Sequence, residues 1–168
     1  MRVSNTSPLL GQAYHVFGPE ALPDWFEANL FRRPESRVAH SMLSVERVIA
    51  APSSAVWDVL VDVRKWPVWG PSISSAVLDR QAGRISLGAT GRVVTPLGVA
   101  LPFVITEFDE GRHWAWSVAG VDATRHRVDP LGERSRAIFE VPWWAATYAA
   151  VCALALRRIE GMAVERRG

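Results

Sequence analysis

The segment that most constrains the fold of this chain is the run PWWAATYAAVCALALRRIEGMAV, residues Pro142 to Val164. At 3.6 residues per turn its large apolar side chains fall on one side of a helix. That side holds Trp144, Tyr148, Val151, Cys152, Ala155, Ile159 and Met162, and the opposite side holds Ala146, Ala150, Ala153, Arg157 and Glu160. Because apolar stripes are usually buried in the core, we expect this long helix to pack on a sheet. The alternative is that the same face also forms one wall of a ligand cavity.

The two ends of this segment suit the ends of a helix. Pro142 has no N–H to lose in a first turn, and Arg157, Arg158, Arg166 and Arg167 favour the negative end of the helix dipole. The apolar stretch before Arg157 is shorter than the roughly 20 residues that a bilayer core requires, so we expect no membrane span.

Length and charge exclude several classes of protein. A chain of 168 residues can form one domain with a sizeable core. Its formal net charge is only +2 and its arginines are scattered, so no nucleic-acid partner is expected. Cys152 is the only cysteine, which excludes an intramolecular disulfide. The N-terminus lacks the basic and apolar regions of a signal peptide, which predicts a cytoplasmic protein.

Residues 1–40 differ from the rest and are predicted to form an N-terminal extension to a domain at 41–168. Proline and glycine interrupt this extension, and only Asp24 to Arg32 looks like a short helix. Its aromatic residues Trp25, Phe26 and Phe31 favour docking on the main domain, and an oligomer contact such as a homodimer is the alternative.

From Met42 the pattern predicts an α+β domain. A strand ends at Ala51-Pro52, a helix capped by Ser53 or Ser54 runs to Leu60, and a second short helical segment covers Val63 to Trp69. Six strands are then expected at Ser72–Asp79, Gly91–Pro96, Val99–Asp109, His113–Ala119, Val121–Asp129 and Arg134–Val141. Connections this short force antiparallel hairpins. The arrangement predicts a curved antiparallel sheet of about seven strands wrapped around the long C-terminal helix, with a cavity in the space left over.

The residues from Glu46 to Ile73, ERVIAAPSSAVWDVLVDVRKWPVWGPSI, resemble the opening of the START-like, helix-grip superfamily. The likeness lies in a strand, an Ala-Pro step, a helix, and a closing Trp-x-x-Trp-x-Pro segment at Trp66, Trp69 and Pro71. It continues through the Trp114-Ala115-Trp116 strand and covers roughly residues 42–164. The resemblance implies the polyketide cyclase/dehydrase-like branch, whose members bind lipids, hormones, polyketides or quinones in a cavity. Only some of those members are catalysts, and the superfamily shares no catalytic motif.

Large aromatic residues are the main candidates for the cavity wall. With one aliphatic residue of the long helix, the predicted ligand-binding set is Trp57, Trp66, Trp69, Phe103, Trp114, Trp116, Phe139, Trp144 and Val151. Ordinary core filling is the alternative for any of them. Strand alternation puts Trp114 and Trp116 on one face, which we take as concave.

Two side chains are candidates for catalysis. His126 shares a strand face with Thr124 and Val128, and Tyr148 lies one turn before Val151 on the sheet side of the helix. An imidazole with a pKa near 6.5 is a possible base, and a tyrosine hydroxyl is a possible proton donor. A structural role, with the side chain hydrogen-bonded to a neighbour, is the alternative for both.

Cofactor chemistry finds no support in the sequence. The four histidines have no metal-ligand spacing, and no glycine-rich phosphate loop is present, so neither a metal nor a nucleotide cofactor is expected. Arg92, Glu107, Asp109 and Asp122 are better explained as a solvated sheet edge, and Pro102 predicts a bulge that leaves the direction of Glu107 open.

These observations favour a domain that binds a small hydrophobic, aromatic or polycyclic ligand of the polyketide, lipid or quinone class. The enzymatic alternative is a polyketide aromatase/cyclase that uses Tyr148 or His126 in aldol closure and dehydration. A partner-binding module that uses the aromatic residues of the N-terminal extension is the third hypothesis.

Overall fold

A computed structural model describes residues 42–80 and 83–165. In chain order the strands and helices are β1 (Met42–Ile49), α1 (Ser53–Leu60), a 3-10 turn (Val63–Lys65), α2 (Trp66–Trp69), β2 (Ser75–Leu78), β3 (Thr90–Val94), β4 (Ala100–Asp109), β5 (His113–Val118), β6 (Val121–Leu131), β7 (Arg134–Pro142), a 3-10 segment (Trp143–Tyr148) and α3 (Ala149–Val164). The prediction for Asp24 to Arg32 and its aromatic residues lies outside the described part of the chain.

The strands form one antiparallel sheet in the order β1-β7-β6-β5-β4-β3-β2. Consecutive strands from β2 to β7 pair as hairpins, as their short connections require. β1 returns to the far edge, where Met42 lies opposite Pro142 and Ile49 opposite Ser135. The predicted fold is therefore confirmed: a seven-stranded curved sheet holds the C-terminal helix, and two short helices lie between the first two strands.

The predicted C-terminal helix is real, but it begins later than expected. Pro142 ends β7, and residues 143–148 form the 3-10 segment, in which the backbone of Ala145 departs from helical geometry. α3 then runs from Ala149 to Val164, so Arg157 and Arg158 lie in its middle and its last turn holds no basic residue. The predicted charge at the helix terminus is therefore wrong for these two arginines, and Arg166 and Arg167 lie outside the described residues.

The face that α3 turns to the sheet is close to the predicted one. Cys152, Ala155 and Ile159 are buried as expected, and the helix also buries Leu156 and Ala163. On the opposite side Ala150 and Arg157 are exposed, whereas Ala153 is half-buried. Among the described residues, no helix is long and apolar enough to cross a bilayer.

Three local predictions need correction. α1 begins directly after Pro52, which occupies the N-cap position and has no side-chain oxygen to accept from the first-turn N–H groups, so neither Ser53 nor Ser54 caps the helix. The irregular pairing of β4 lies between Ile105 and Glu107 rather than at Pro102. In β2, the residues before Ser75 form a turn closed by the bond from the Ile73 N–H to the Gly70 carbonyl, so the strand is shorter than predicted.

Aromatic rings fill most of the space between the sheet and the helices. Trp66 of α2 is fully buried; its ring stacks parallel to Trp114 of β5 at 5.3 Å and meets Trp116 edge-on at 5.2 Å. Phe103 of β4 packs against Trp66 and Trp116. The interior that a curved sheet was expected to leave open is thus largely occupied by the protein's own side chains.

Candidate functional site

A small cavity lies where the loop after α2 approaches the start of α3, over strands β5, β6 and β7. Its lining residues are Trp69, Gly70, Pro71, Ser72, Ile73, Trp116, Thr124, His126, Phe139, Tyr148, Val151, Cys152 and Ala155. The inner space is about 20 Å³, which holds on the order of one ordered water. This space is far smaller than the roughly 300 Å³ of an ordinary ligand site.

Two hydroxyl groups meet at one side of this cavity. The Ser72 Oγ and the Tyr148 Oη are 2.5 Å apart, so one hydroxyl donates to the other. Ser72 belongs to the loop after α2 and Tyr148 ends the 3-10 segment before α3. The bond therefore ties the loop to the C-terminal helix. Burial raises the pKa of Tyr148, with an opposing effect from the Ser72 hydrogen bond, and the phenol stays protonated at neutral pH.

A chain of three hydrogen-bonding side chains crosses the floor of the cavity. The Trp116 Nε1–H donates to Thr124 Oγ1 at 3.0 Å, and Thr124 Oγ1 lies 3.2 Å from His126 Nε2. Because Thr124 already accepts from the indole, its single hydroxyl hydrogen is free to point to the imidazole. The Thr124 oxygen can also accept a second hydrogen bond, so the contact fits either ring tautomer of His126.

His126 is held neutral by its surroundings. Its ring stacks on Trp114 at 3.9 Å and meets Phe139 edge-on at 4.3 Å, and the residue is 2% exposed. Burial lowers the pKa of His126 to about 3, against a smaller opposing effect of the Trp114 backbone. The Nδ1 atom makes no hydrogen bond of good geometry within the described residues. An imidazole with so low a pKa is a weak base.

The rest of the lining carries no charge. None of the lining residues is Asp, Glu, Lys or Arg. Burial also raises the pKa of the Cys152 thiol to about 11, so it remains protonated at neutral pH. The cavity therefore combines an apolar, aromatic wall with a few neutral hydrogen-bonding groups, which suits an uncharged ligand.

Six of the eleven predicted site residues lie on the cavity wall: Trp69, Trp116, Phe139, Val151, His126 and Tyr148. Both candidate catalytic residues thus reach the same small space, and the tryptophan face of β5 is the inner face, as predicted.

The other five predicted site residues do not line the cavity. Trp66, Phe103 and Trp114 are buried in the adjoining aromatic core. Trp57 packs on Phe108, and its Nε1–H donates to Glu110 Oε1 at 2.7 Å, away from the cavity. Trp144 is 58% exposed, because the 3-10 segment shifts it off the helical face on which a continuous helix would have placed it.

The sequence reasoning missed the polar partners within the site. Ser72 was assigned to a strand, although it follows Gly70-Pro71, a pair typical of a turn. Thr124 was noted only as a neighbour of His126 on one strand face. The Gly-Pro pair was the available signal for the loop, whereas no sequence signal pairs Ser72 with Tyr148, 76 residues away.

The charged candidates of the sheet lie outside the cavity lining. The Arg125 Nη2 donates to Glu107 Oε1 at 2.6 Å, and Arg125 also pairs with Glu140. Arg92, Asp109 and Asp122 are exposed. Within residues 42–80 and 83–165 no cluster of three His, Cys, Asp or Glu side chains is arranged to hold a metal ion.

Comparison with known proteins gives one family and one fold. The family model described as polyketide cyclase / dehydrase and lipid transport matches residues 42–167. A Streptomyces halstedii protein whose name proposes a polyketide cyclase is 31% identical over 91 residues, which span 50% of this chain and 71% of that protein.

Two solved structures share the fold at low sequence identity. The Zhui aromatase/cyclase from Streptomyces sp. R1128 superposes with a TM-score of 0.57 at 18% identity and covers 76% of this chain and 97% of its own. The protein XoxI from Bacillus cereus gives a TM-score of 0.60 at 14% identity over 76% of this chain and 99% of its own.

Proposed function

The chain belongs to the polyketide cyclase / dehydrase and lipid transport family, and we propose that it binds a small hydrophobic, aromatic or polycyclic molecule of the polyketide, lipid or quinone class. The observation that supports this function is the cavity between α3 and the sheet, where aromatic walls surround a few neutral polar groups. Ligand sites of proteins commonly have this composition, because apolar surface supplies affinity and the few polar groups supply orientation.

Binding requires the site to open. About 20 Å³ of space cannot accept a ring system, so the walls must separate before a ligand enters. The loop at residues 70–73 is the part best suited to move, since in the described part of the chain one side-chain hydrogen bond, between Ser72 and Tyr148, joins it to the C-terminal helix. One such bond contributes only about 0.5–1.5 kcal/mol net, which thermal fluctuation and ligand contacts can offset.

Native mass spectrometry of freshly purified protein tests the binding function directly, because a ligand that co-purifies appears as a defined mass increment. A matched pair of variants then locates the site. Trp116→Ala removes a large part of the wall and should weaken binding by a few kcal/mol. Trp144→Ala removes an equally large side chain outside the cavity and should leave affinity unchanged. Equal loss in both variants would contradict this location.

Polyketide aromatase/cyclase activity is the second candidate, and the paired hydroxyls of Ser72 and Tyr148 favour it. The Tyr148 hydroxyl can donate its proton to a carbonyl oxygen as the aldol carbon–carbon bond forms, and the proton lost from the α-carbon of the substrate can return to the phenolate, whose oxygen Ser72 hydrogen-bonds. His126 is the weaker candidate for proton transfer, since its pKa is about 3. The relatives named above are consistent with this activity.

Product analysis with a polyketone substrate separates the two candidates. In a cyclase, Tyr148→Phe should bind a substrate mimic almost normally and turn over about 10²- to 10⁴-fold more slowly. In a protein that only binds, the wild type gives no cyclised product above the uncatalysed rate. His126→Gln should then change affinity modestly and turnover no more than affinity, and a large selective loss of turnover in that variant would assign the proton transfer to the imidazole.

A further inference from the structure

We propose that Trp69 determines the ligand selectivity of the cavity, by donating its buried indole N–H to a carbonyl-type oxygen of an uncharged ligand. This inference rests on the proposed ligand-binding function and adds the chemical group that the site recognises. It concerns a residue at the end of α2 that is 4% exposed and lines the cavity.

The buried indole N–H groups differ in whether they have an acceptor. Trp57 donates to Glu110, Trp66 donates to the Leu60 carbonyl at 2.8 Å, and Trp116 donates to Thr124. In the described part of the chain, the Nε1 atoms of Trp69 and Trp114 are buried without a partner. Buried N–H groups are nearly always paired, so each of these two needs an explanation.

Only one of these two indoles lines the cavity. Trp114 is enclosed between the rings of Trp66 and His126, which stack on it at 5.3 and 3.9 Å, and it does not line the cavity. Trp69 forms part of the wall. A ligand in the cavity can therefore supply the acceptor that Trp69 lacks, because an indole N–H is a donor only.

Three aromatic neighbours hold the Trp69 ring in one orientation. Trp66, His126 and Phe139 contact it edge-on at centroid distances of 6.3, 6.2 and 5.9 Å. The end of α2 also helps to hold Trp69, since the Gly70 N–H donates to the Trp66 carbonyl at 2.7 Å and a Cβ at Gly70 would lie 2.9 Å from that oxygen. A donor held this firmly loses little entropy when it binds an acceptor.

The remaining polar groups of the cavity also offer hydrogens. Ser72 and Tyr148 have two hydroxyl hydrogens between them, and their mutual bond uses one. With no carboxylate and no cation in the lining, the site should favour a neutral acceptor and disfavour ammonium and carboxylate ligands, which would lose hydration without a counter-charge.

The test uses 2-acetylnaphthalene and 2-ethylnaphthalene, two probes of similar shape that differ by a carbonyl in place of a methylene. Their dissociation constants are measured by tryptophan fluorescence for the wild type, Trp69→Phe and Trp114→Phe. Within each protein, the ratio of the two dissociation constants measures the preference for the ketone. Comparing this ratio between proteins cancels the difference in hydrophobicity between the two probes. Trp69→Phe should lower the preference for the ketone by about fivefold, the usual effect of one net hydrogen bond.

Trp114→Phe makes the same chemical change at an unpaired indole outside the cavity and should leave the ratio unchanged. If Trp69→Phe also leaves it unchanged while both probes bind, the inference about Trp69 fails and the binding function stands. If neither probe binds the wild type, both fail.

An infrared spectrum of the bound ketone keeps the inference testable if Trp69→Phe does not fold. In the wild type, a hydrogen-bonded carbonyl absorbs at lower frequency than the same ketone in an alkane. An alkane-like frequency for the bound ketone would overturn the inference. Where Trp69→Phe folds, its bound ketone should absorb at higher frequency than that in the wild type.

Discussion

At the scale of single residues, the contact between Ser72 and Tyr148 can be measured with a double-mutant cycle. Tyr148→Phe removes one hydroxyl and should lower the free energy of unfolding by about 1 kcal/mol, as should Ser72→Ala. Because both changes remove the same hydrogen bond, the double variant should cost little more than either one. Urea titration of the four proteins checks this, and fully additive losses would show that the two hydroxyls are not bonded to each other.

His126 should make stability depend on pH in a defined window. Its pKa is about 3 in the folded protein and near 6.5 when unfolded. Between these values the unfolded chain binds more protons than the folded protein, so the free energy of unfolding falls as pH falls, by up to about 1.4 kcal/mol per pH unit. The contribution is complete above about pH 6.5 and is progressively lost towards pH 3.

The control for this prediction is the second described histidine. His113 lies on the outer face of the sheet near Glu107, with 35% of its side chain exposed. Denaturant titration between pH 4.5 and 6.5 should show the decline in the wild type and in His113→Gln, and a nearly flat profile in His126→Gln. Hydrogen bonds to Arg64 lower the pKa of Asp62, so its contribution disappears at more acid pH and does not mask the effect.

Strand alternation predicted the inward position of His126 because a period of two leaves only two faces, and Val128 marked the apolar one. The same rule put Trp114 and Trp116 inside. Alternation gives no information on which atom pairs with which, so the link from Trp116 through Thr124 to His126 could not be predicted. The Ser72–Tyr148 pair depends on how the loop after α2 meets α3, a long-range property.

At the scale of elements, α3 should tolerate charge on one side only. Ala155 is 3% exposed, so Ala155→Arg forces a cation into the interface with the sheet and should cost several kcal/mol. Ala150→Arg is the control, since Ala150 is exposed on the opposite side of the same helix. Similar midpoints for both variants in denaturant titration would contradict the packing of α3 on the sheet.

Hairpin spacing predicted the elements well, because each turn glycine ends a strand and short connections leave only antiparallel pairing. The start of α3 was less predictable. The apolar period of Trp144 and Tyr148 fits an α-helix, yet the chain leaves β7 at Pro142 and needs a tighter 3-10 segment before the helix axis is set. Apolar periodicity shows which residues can share a buried face, but it does not show where the chain leaves the preceding strand.

At the scale of the whole molecule, ligand entry should be limited by opening of the cavity. If the open form is rare, the observed binding rate for 2-acetylnaphthalene should level off at high ligand concentration instead of rising without limit. Ser72→Ala should raise that plateau, because it removes the bond between the loop and α3. Stopped-flow tryptophan fluorescence measures both, and a rate that stays linear up to the solubility limit would contradict the proposed opening step.

The presence of a space between sheet and helix was predicted from the fold, but its volume was not. Volume depends on how the rings of Trp66, Phe103 and Trp114 interlock, and each can pack in several rotamers without changing the sequence pattern.

The tryptophan cluster also has an optical consequence. Trp69, Trp114 and Trp116 all lie within 6.3 Å of Trp66, ring centre to ring centre. At such separations electronic excitation migrates between indoles much faster than it is emitted, so the four rings behave as one chromophore. A ligand that quenches Trp69 or Trp116 at the cavity wall should therefore reduce the fluorescence of all four rings. The exposed Trp143 and Trp144 would then contribute a larger share of the emission, so the spectrum should shift to the red as the site fills.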